Sequence, residues 1–356
     1  MSKKILVTGV LGQDGANMCE FLLKNEDCKV FGMIRRVSNP NYSNCKNFLD
    51  HPDFQLVYGD LTDEFSISKL VQDIQPDYFI NFAANSFVGC SWDMPMQHFD
   101  TNATGVIRCL EAIRAYQPNC RFYSAGSSEE FGNVDYVPQD MKHPLKPRSP
   151  YGASKCAARH LVKVYRESYN MYAVHGTLFN HEGTKRGEEF VTRKITKNVA
   201  RLKAEINAYL ESGHQSRVTP MRLGNLDAQR DWSDSEDFVE GVWLMVNQDE
   251  PRDYLLASGE THTIKEFVEK AFKYAGINGN WSIDETNPIN TKFYLNTSEA
   301  IPLVVVDEKF YRPNEVDLLL GCPKDAKKFL GWEPKITFDN LVRKMVEFDL
   351  DAKEKE

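Results

Sequence analysis

Ile5-Leu6-Val7-Thr8-Gly9-Val10-Leu11-Gly12-Gln13-Asp14-Gly15 is a short apolar run followed by glycines at every third position. Ile5 to Val7 reads as a strand, and Gly15 to Leu23 as the helix that follows it. Between the two, glycines permit a tight turn and let the backbone come close to a ligand. The turn delivers the chain to a helix N-terminus, where unclaimed N–H groups and the helix dipole favour an anion such as a diphosphate. A glycine pattern alone is weak evidence. At the first strand-to-helix turn of the chain it becomes a specific one.

Working outward from this turn, short apolar runs alternate with helical patterns. Val30 to Ile34, Gln55 to Tyr58, Asp77 to Phe82, Arg121 to Ala125 and Tyr172 to Leu178 read as further strands, with helices over Asn102 to Tyr116 and Pro150 to Tyr169. Strand–helix alternation at this spacing predicts an α/β fold built on a doubly wound parallel sheet. After Asn180 the pattern is less regular. Helices are expected over Phe190 to Leu202, Ser235 to Asn247 and Ile264 to Ala275, with strands over Tyr254 to Ala257 and Leu303 to Val306. The expected organisation is a sheet domain over 1–180 that also uses 226–258, a smaller mixed α/β domain over 181–225 and 259–350, and a frayed tail over 351–356.

The composition sets limits. A chain of 356 residues, 42% hydrophobic and 26% charged, suits two globular domains or one large one. The net charge of -8 argues against a general nucleic-acid binder. No run reaches the roughly 18 apolar residues of a membrane span. Lys3-Lys4 leads into too short an apolar run for a signal peptide, so a cytoplasmic protein is expected. The eight cysteines are scattered, with no Cys-x-x-Cys and no Cys/His cluster at zinc spacing, which predicts reduced thiols and no metal site.

Three groups of residues carry chemistry. First, the second strand ends in Arg35-Arg36, followed by Ser38, where an acid would hold the ribose hydroxyls of NAD. Two guanidinium groups suit a 2′-phosphate, and so NADP. Asp60-Leu61 closes the third strand. Asp60 has two readings, an acceptor for the adenine amino group or a helix N-cap with Thr62.

Second, Tyr151-Gly152-Ala153-Ser154-Lys155 puts a phenol and an ammonium on one face of a helix. A phenol with a pKa near 10 is a poor base at pH 7. An ammonium about 4 Å away at an effective dielectric of about 20 is worth about 4 kcal/mol, enough to lower that pKa by about three units. Third, Ala125-Gly126-Ser127-Ser128-Glu129 ends the fifth strand, at the sheet edge where ligands bind. Ser127 can hydrogen-bond a substrate hydroxyl beside Tyr151. A carboxylate here suits removal of a proton alpha to a carbonyl, which a simple dehydrogenase or 4-epimerase does not need. Glu130 is adjacent, and either Glu129 or Glu130 can be the one that points inward.

Taken with Gly59-Asp60-Leu61-Thr62-Asp63 and Pro147 to Lys155, these stretches resemble the GDP-mannose 4,6-dehydratases, extended short-chain dehydrogenase/reductase enzymes. The second half is more specific: Leu178 to Glu182, Arg186-Gly187, Phe190 to Ile195, Leu223-Gly224-Asn225-Leu226-Asp227, Arg230-Asp231-Trp232 and Tyr311 to Asp317 follow the family's substrate side, and the resemblance runs to about Val346. It implies a Rossmann-type NADP domain with a smaller domain for the GDP-sugar. It implies that Gly9, Leu11, Gly12, Gln13, Asp14, Gly15, Arg35, Arg36, Ser38, Asp60, Leu61, Phe82, Ala83, Ala84 and Ser86 line NADP, with Tyr151, Lys155, His181 and Arg186 beside it. Ser86, Asn180, Val191, Lys194, Gly224, Arg230, Arg312 and Glu315 would face the GDP-sugar. Ser127, Ser128, Glu129, Tyr151 and Lys155 would be catalytic. The basic run Lys185, Arg186, Arg193, Lys194, Lys197 and Arg201 suits a diphosphate, although its spacing also places some of it on a solvated helix face. A homo-oligomer, dimer or tetramer, is implied as well.

The chain departs from the family in places. Ser127 stands where the family usually has Thr, and Phe87 replaces a histidine in the family's Gln-Ser-His-Val stretch. An aromatic residue near Gln97 is missing, the loop after Arg36 is shorter, and Lys203 to Met221 carries extra residues. The first changes bear on substrate discrimination, the loop changes on the tetramer. The implied reaction oxidises C4 of the sugar, eliminates water across C5 and C6, and returns the hydride to C6. Three rivals stand beside it: a nucleotide-sugar 4-epimerase or 4-keto reductase, a dehydratase of another nucleotide sugar such as a GDP-heptose or dTDP-glucose, and a non-catalytic NADP-binding protein.

Overall fold

Ile5 and Val7 are fully buried on one face of the first strand and Leu6 on the other, so this strand lies between two layers rather than at a surface. The computed structural model describes residues 2–213, 215–310, 316 and 318–354. Among them, seven strands form one sheet: β1 (Lys3–Thr8), β2 (Cys28–Ile34), β3 (Phe54–Tyr58), β4 (Tyr78–Asn81), β5 (Arg121–Ala125), β6 (Ala173–Leu178) and β7 (Tyr254–Leu256). Their order is β3-β2-β1-β4-β5-β6-β7, and every neighbouring pair is parallel.

Helices α1 (Gln13–Asn25), α2 (Glu64–Ile74), α3 (Gly105–Tyr116), α4 (Pro150–Tyr169) and α5 (Ser235–Val246) cover the sheet. Met18, Leu22, Phe238, Val242 and Trp243, from α1 and α5, pack with Ile5, Val7, Tyr123 and Val174 on one face. Ile67, Val71, Leu110, Ile113 and Val162, from α2, α3 and α4, pack with Leu6, Phe79 and Phe122 on the other. The strand order reverses between β1 and β4, and a crevice outside the carboxyl ends of such strands is where open α/β sheets bind ligands. The fold is the expected doubly wound one.

The chain divides into two compact units. The first comprises Met1–His181, Asp231–Glu260 and Leu319–Lys335, and the second Glu182–Arg230, Thr261–Leu318 and Ile336–Glu356. The chain therefore returns to the sheet unit twice, and the second return, 319–335, lies in a stretch that the sequence assigns to the smaller domain. Its burial explains this: Ala326, Leu330 and Trp332 sit in the sheet unit's core, and the Trp332 indole donates 2.8 Å to the carbonyl of Asp237.

The second unit holds helices Val191–Glu211, Ile264–Tyr274 and Phe338–Glu354 and a four-stranded sheet in the order Gly279–Ser282, Lys292–Leu295, Pro302–Val306, Met221–Leu223. A buried ion pair, Arg193 to Asp349 at 2.6 Å, ties the first and last of these helices. Two expected boundaries move. The helix expected to stop at Leu202 runs to Glu211, and the tail expected to fray from 351 stays helical through Glu354. Among the described residues, no helix is long and apolar enough to cross a membrane.

Candidate functional site

The glycine turn is built as its sequence requires. Gly9 has φ of +71°, the left-handed region, and a Cβ there would lie 2.9 Å from the backbone N of Ala83. Gly12 donates 2.9 Å to the carbonyl of Gly9, and Gly12 is itself the N-cap of α1, with no side chain capping the helix. The N–H groups of this helix start, uncapped by a side chain, can turn to an anion, and glycines without Cβ atoms let it approach. This donor set fits the diphosphate of a dinucleotide.

The neighbouring loop is tied to this turn. Thr8 Oγ1 donates to Asn81 Oδ1 at 2.6 Å and accepts from the backbone N of Ala83 at 2.9 Å. Thus the ends of β1 and β4 are clamped, and Phe82, Ala83 and Ala84 are held beside the turn, half-buried, while Ser86 is exposed. Asp14 and Gln13 both reach His181. Its Nε2 lies 3.0 Å from Asp14 Oδ2, Gln13 Nε2 donates 2.9 Å to its carbonyl, and its ring stacks on Phe238. Arg35, Arg36 and Ser38 lie exposed just past the end of β2, as binders of an external phosphate would. Leu61 is buried beneath α3. Asp60 is not a helix N-cap, for Asp63 takes that place on α2 by accepting from Phe65 N. Asp60 instead accepts from the N and Oγ1 of Thr62, at 2.9 and 2.8 Å.

The catalytic candidates meet at the end of β5. Ser149 caps α4, its Oγ accepting from Gly152 N at 3.0 Å, and Pro150 supplies a first helical residue that needs no N–H. This start sets Tyr151 and Lys155 on the buried face, with the Lys155 ammonium 5.8 Å from the centre of the Tyr151 ring. Lys155 donates 2.7 Å to the carbonyl of Ala125, at the last residue of β5. Burial pushes its pKa down to about 8, against the opposing pull of the Glu130 and Asp14 carboxylates.

Residues 127–130 form a tight turn on the same edge, and a Cβ on Gly152 would lie 2.6 Å from the carbonyl of Glu129. That absence of a side chain seats the turn against α4. Packing separates the two glutamates, either of which could point inward by sequence. Glu130 is fully buried, accepts from Ser127 N at 2.8 Å and lies 3.0 Å from His175 Nε2. Glu129 is half-buried, and its N–H donates to Ser127 Oγ at 3.2 Å.

The second unit holds the other candidates. The Lys194 ammonium sits 3.4 Å from the ring centre of Phe310, and a Cβ on Gly224 would touch the Phe310 backbone carbonyl at 2.6 Å, so both residues lie against Phe310. Burial lowers the Lys194 pKa, with Asp307 opposing. Arg186 pairs with Glu182 at 3.1 Å and stacks on Phe190, next to Val191. Arg230 is buried on the short strand Gln229–Arg230, paired with His262–Thr263. In the first unit, the buried Asn180 Oδ1 has no hydrogen-bond partner among the described residues, an acceptor available to a ligand. Arg312 and Glu315 lie outside the described residues. Of the basic run, Arg193 is spent on the ion pair with Asp349 and Lys197 on Glu188.

Asn102 escaped the sequence reading. It stands on the wide helical turn Asp100–Thr104 that precedes α3, where the sequence pattern shows only a helix start. Its amide donates to the Asn85 carbonyl and to Ser154 Oγ, both at 3.1 Å, and its Oδ1 accepts from Asn85 N at 2.9 Å. It thereby joins the loop after β4 to the helix bearing Tyr151. Asn and Ser at those positions were a weak signal without a fold to bring them together.

With this geometry in hand, comparisons with known proteins are specific. The family model described as "GDP-mannose 4,6 dehydratase" matches residues 6–345. The "GDP-mannose 4,6 dehydratase" of Drosophila melanogaster is 40% identical over 364 residues, covering 99% of this chain and 87% of the relative. "GDP-mannose 4,6 dehydratase 1" of Arabidopsis thaliana is 41% identical over 364 residues, covering 99% and 91%. Among solved structures, dTDP-glucose 4,6-dehydratase from Bacillus anthracis in complex with NAD superposes with a TM-score of 0.77 at 21% identity, covering 99% of this chain and 98% of the other, which establishes a shared fold.

Proposed function

Because the chain belongs to the GDP-mannose 4,6-dehydratase family, we propose that it is a cytoplasmic NADP-dependent hydro-lyase converting GDP-mannose to GDP-4-keto-6-deoxymannose. The observation that carries this reading is the seating of the 127–130 turn, with its serines and Glu129, against the first turn of α4, the helix that bears Tyr151 and Lys155. An epimerase or a reductase has no use for that carboxylate.

NADP, when bound, would take up the C4 hydride and supply it again at C6. The α1 N-terminus would hold its diphosphate, and the exposed Arg35 and Arg36 support the phosphorylated cofactor over NAD. Tyr151 takes the proton of the 4-hydroxyl, and the Lys155 ammonium stabilises the phenolate it needs to do so. Ser127 hydrogen-bonds the oxygen at C4. A ketone at C4 makes the C5 proton acidic. Glu129 removes it as hydroxide leaves C6, and Ser128 or the same carboxylate protonates the leaving group to water. Hydride addition at C6 requires a proton at C5, and the one Tyr151 took from the 4-hydroxyl supplies it, so atoms balance as loss of one water, with no net redox change. Asn180, Val191, Lys194, Gly224, Arg230, Arg312 and Glu315 are assigned to the GDP-sugar. The same reading includes a homo-oligomer, dimer or tetramer, which light scattering would read.

The test is mass spectrometry of the purified protein with GDP-mannose, and separately with dTDP-glucose, without added reductant. Loss of water from GDP-mannose alone is expected. Loss from dTDP-glucose alone would move the substrate, and loss from neither would overturn the dehydratase. In Tyr151→Phe the first hydride transfer should stop. In Glu129→Gln the sugar nucleotide should still bind while elimination stops, and normal turnover by that variant would refute the assignment of the base.

A further inference from the structure

Glu130 does not belong to the machinery proposed above, yet it lies directly under it. Its relative exposure is 0%, as is that of His175 on β6. Its Oε1 accepts from Ser127 N at 2.8 Å and lies 3.0 Å from His175 Nε2, and its Oε2 lies 3.6 Å from Arg159 Nη1 on α4. The carboxylate can only accept at these contacts, so His175 donates from Nε2, while its Nδ1 is buried with no partner among the described residues. The site is cut to fit. A Cβ on Gly126 would collide with His175 Nε2 and come within 2.6 Å of Glu130 Oε1. On the other side, Cys156 Sγ donates to the Glu130 carbonyl at 3.5 Å.

A glutamate that reaches back to cap the start of a short turn is ordinary at a surface, where water shares the cost. Buried, it carries a desolvation cost that one N–H, one imidazole and the nearby Arg159 and Lys155 cations must offset, and replacing such a group by an apolar residue is often no loss of stability. The burial therefore asks for a role beyond stability. The turn it holds is the one that carries Ser127 and Glu129, to which the proposed function gives catalytic roles, and Lys155 reaches the same strand end at Ala125.

We propose, resting on the dehydratase reading, that Glu130 seated on His175 is a positioning residue for the reaction: it fixes the turn that presents Ser127 and Glu129, and it is a fixed buried anion that keeps the Lys155 ammonium charged beside Tyr151. The groups facing Glu130 are His175 and Tyr123 from the sheet and Lys155, Cys156 and Arg159 from α4, while Asp14 faces Lys155 from α1. Burial lowers the Lys155 pKa, and among the groups opposing that fall Glu130 is first and Asp14 second. Removing the Glu130 charge leaves burial less opposed, so Lys155 should shed its proton at lower pH.

Glu130→Gln keeps the shape and an oxygen for Ser127 N but removes the charge. The expected result is a KM for GDP-mannose within about twofold of wild type, a kcat about ten- to a hundredfold lower, and an alkaline limb of kcat moved down by about one pH unit. A merely structural cap would lower the melting temperature and leave the alkaline limb where it was, and that result overturns the proposal. Should Glu130→Gln fail to fold, His175→Phe decides. It strips the donor from Glu130 in place, and wild-type kcat with a wild-type pH profile in it would equally refute the inference. Carbon NMR titration of the Lys155 side chain needs no substrate. A midpoint lower in Glu130→Gln than in wild type supports the electrostatic link even if the wild type dehydrates no sugar nucleotide, and equal midpoints sink it.

Discussion

Lys155 shows what a single residue gains from its surroundings. An ammonium buried against a strand end has its pKa pushed down from about 10.5 to about 8 by desolvation, with two carboxylates holding it from falling further. The sign follows directly. Below about 8 the ammonium is charged and, in the proposed mechanism, supports the Tyr151 phenolate, and above it that support would be lost. The kcat of the wild-type enzyme should therefore decline as pH rises through about 8, and a profile flat to pH 10 would show that Lys155 is not the group. At this scale the Tyr151 and Lys155 pairing was legible, because helical periodicity puts residues four apart on one face. The choice between Glu129 and Glu130 was not, since neighbours on a tight turn diverge and no period says which of them faces in.

Among elements, the turn from β1 into α1 couples backbone conformation to ligand binding. Gly9→Ala would force a methyl-bearing residue into a left-handed conformation and against the backbone N of Ala83. The conformational part alone costs about 1–2 kcal/mol. The expected outcome is a lower urea midpoint and a clear loss of NADP affinity by fluorescence titration, and unchanged affinity would mean that the turn is not the diphosphate site. This element was readable because glycine spacing states a backbone requirement. The wide turn at Asp100–Thr104 was not, because the pattern that starts a helix looks the same whether its first turn is tight or wide, and Asn102 was lost with it.

For the whole molecule, the sheet unit is completed by a segment far along the chain. Trp332 packs edge-on against Phe238, and its indole N–H is satisfied by the Asp237 carbonyl within the core. Trp332→Ala should destabilise the sheet unit by about 3–5 kcal/mol, the usual cost of emptying a large aromatic site. Chemical denaturation would measure it, and a loss under about 1 kcal/mol would mean that 319–335 is only laid on the surface. Nothing local marks this stretch as part of the sheet unit. The reason is long-range: its apolar residues are no different in kind from those that would serve the smaller domain, and which core they enter depends on where the chain has already been led.

By itself the sequence determined the parallel sheet, its first turn, the Tyr151–Lys155 pair and the family, because each rests on spacing along the chain, and spacing is what periodic elements convert into faces and edges. Only the tertiary structure decided that Glu130 rather than Glu129 is the buried carboxylate, that Asp63 rather than Asp60 caps α2, that Asn102 ties the loop after β4 to α4, and that 319–335 returns to the sheet. In each case the deciding contact joins residues with no fixed spacing between them, and desolvation and hydrogen-bond satisfaction are settled only when those residues meet.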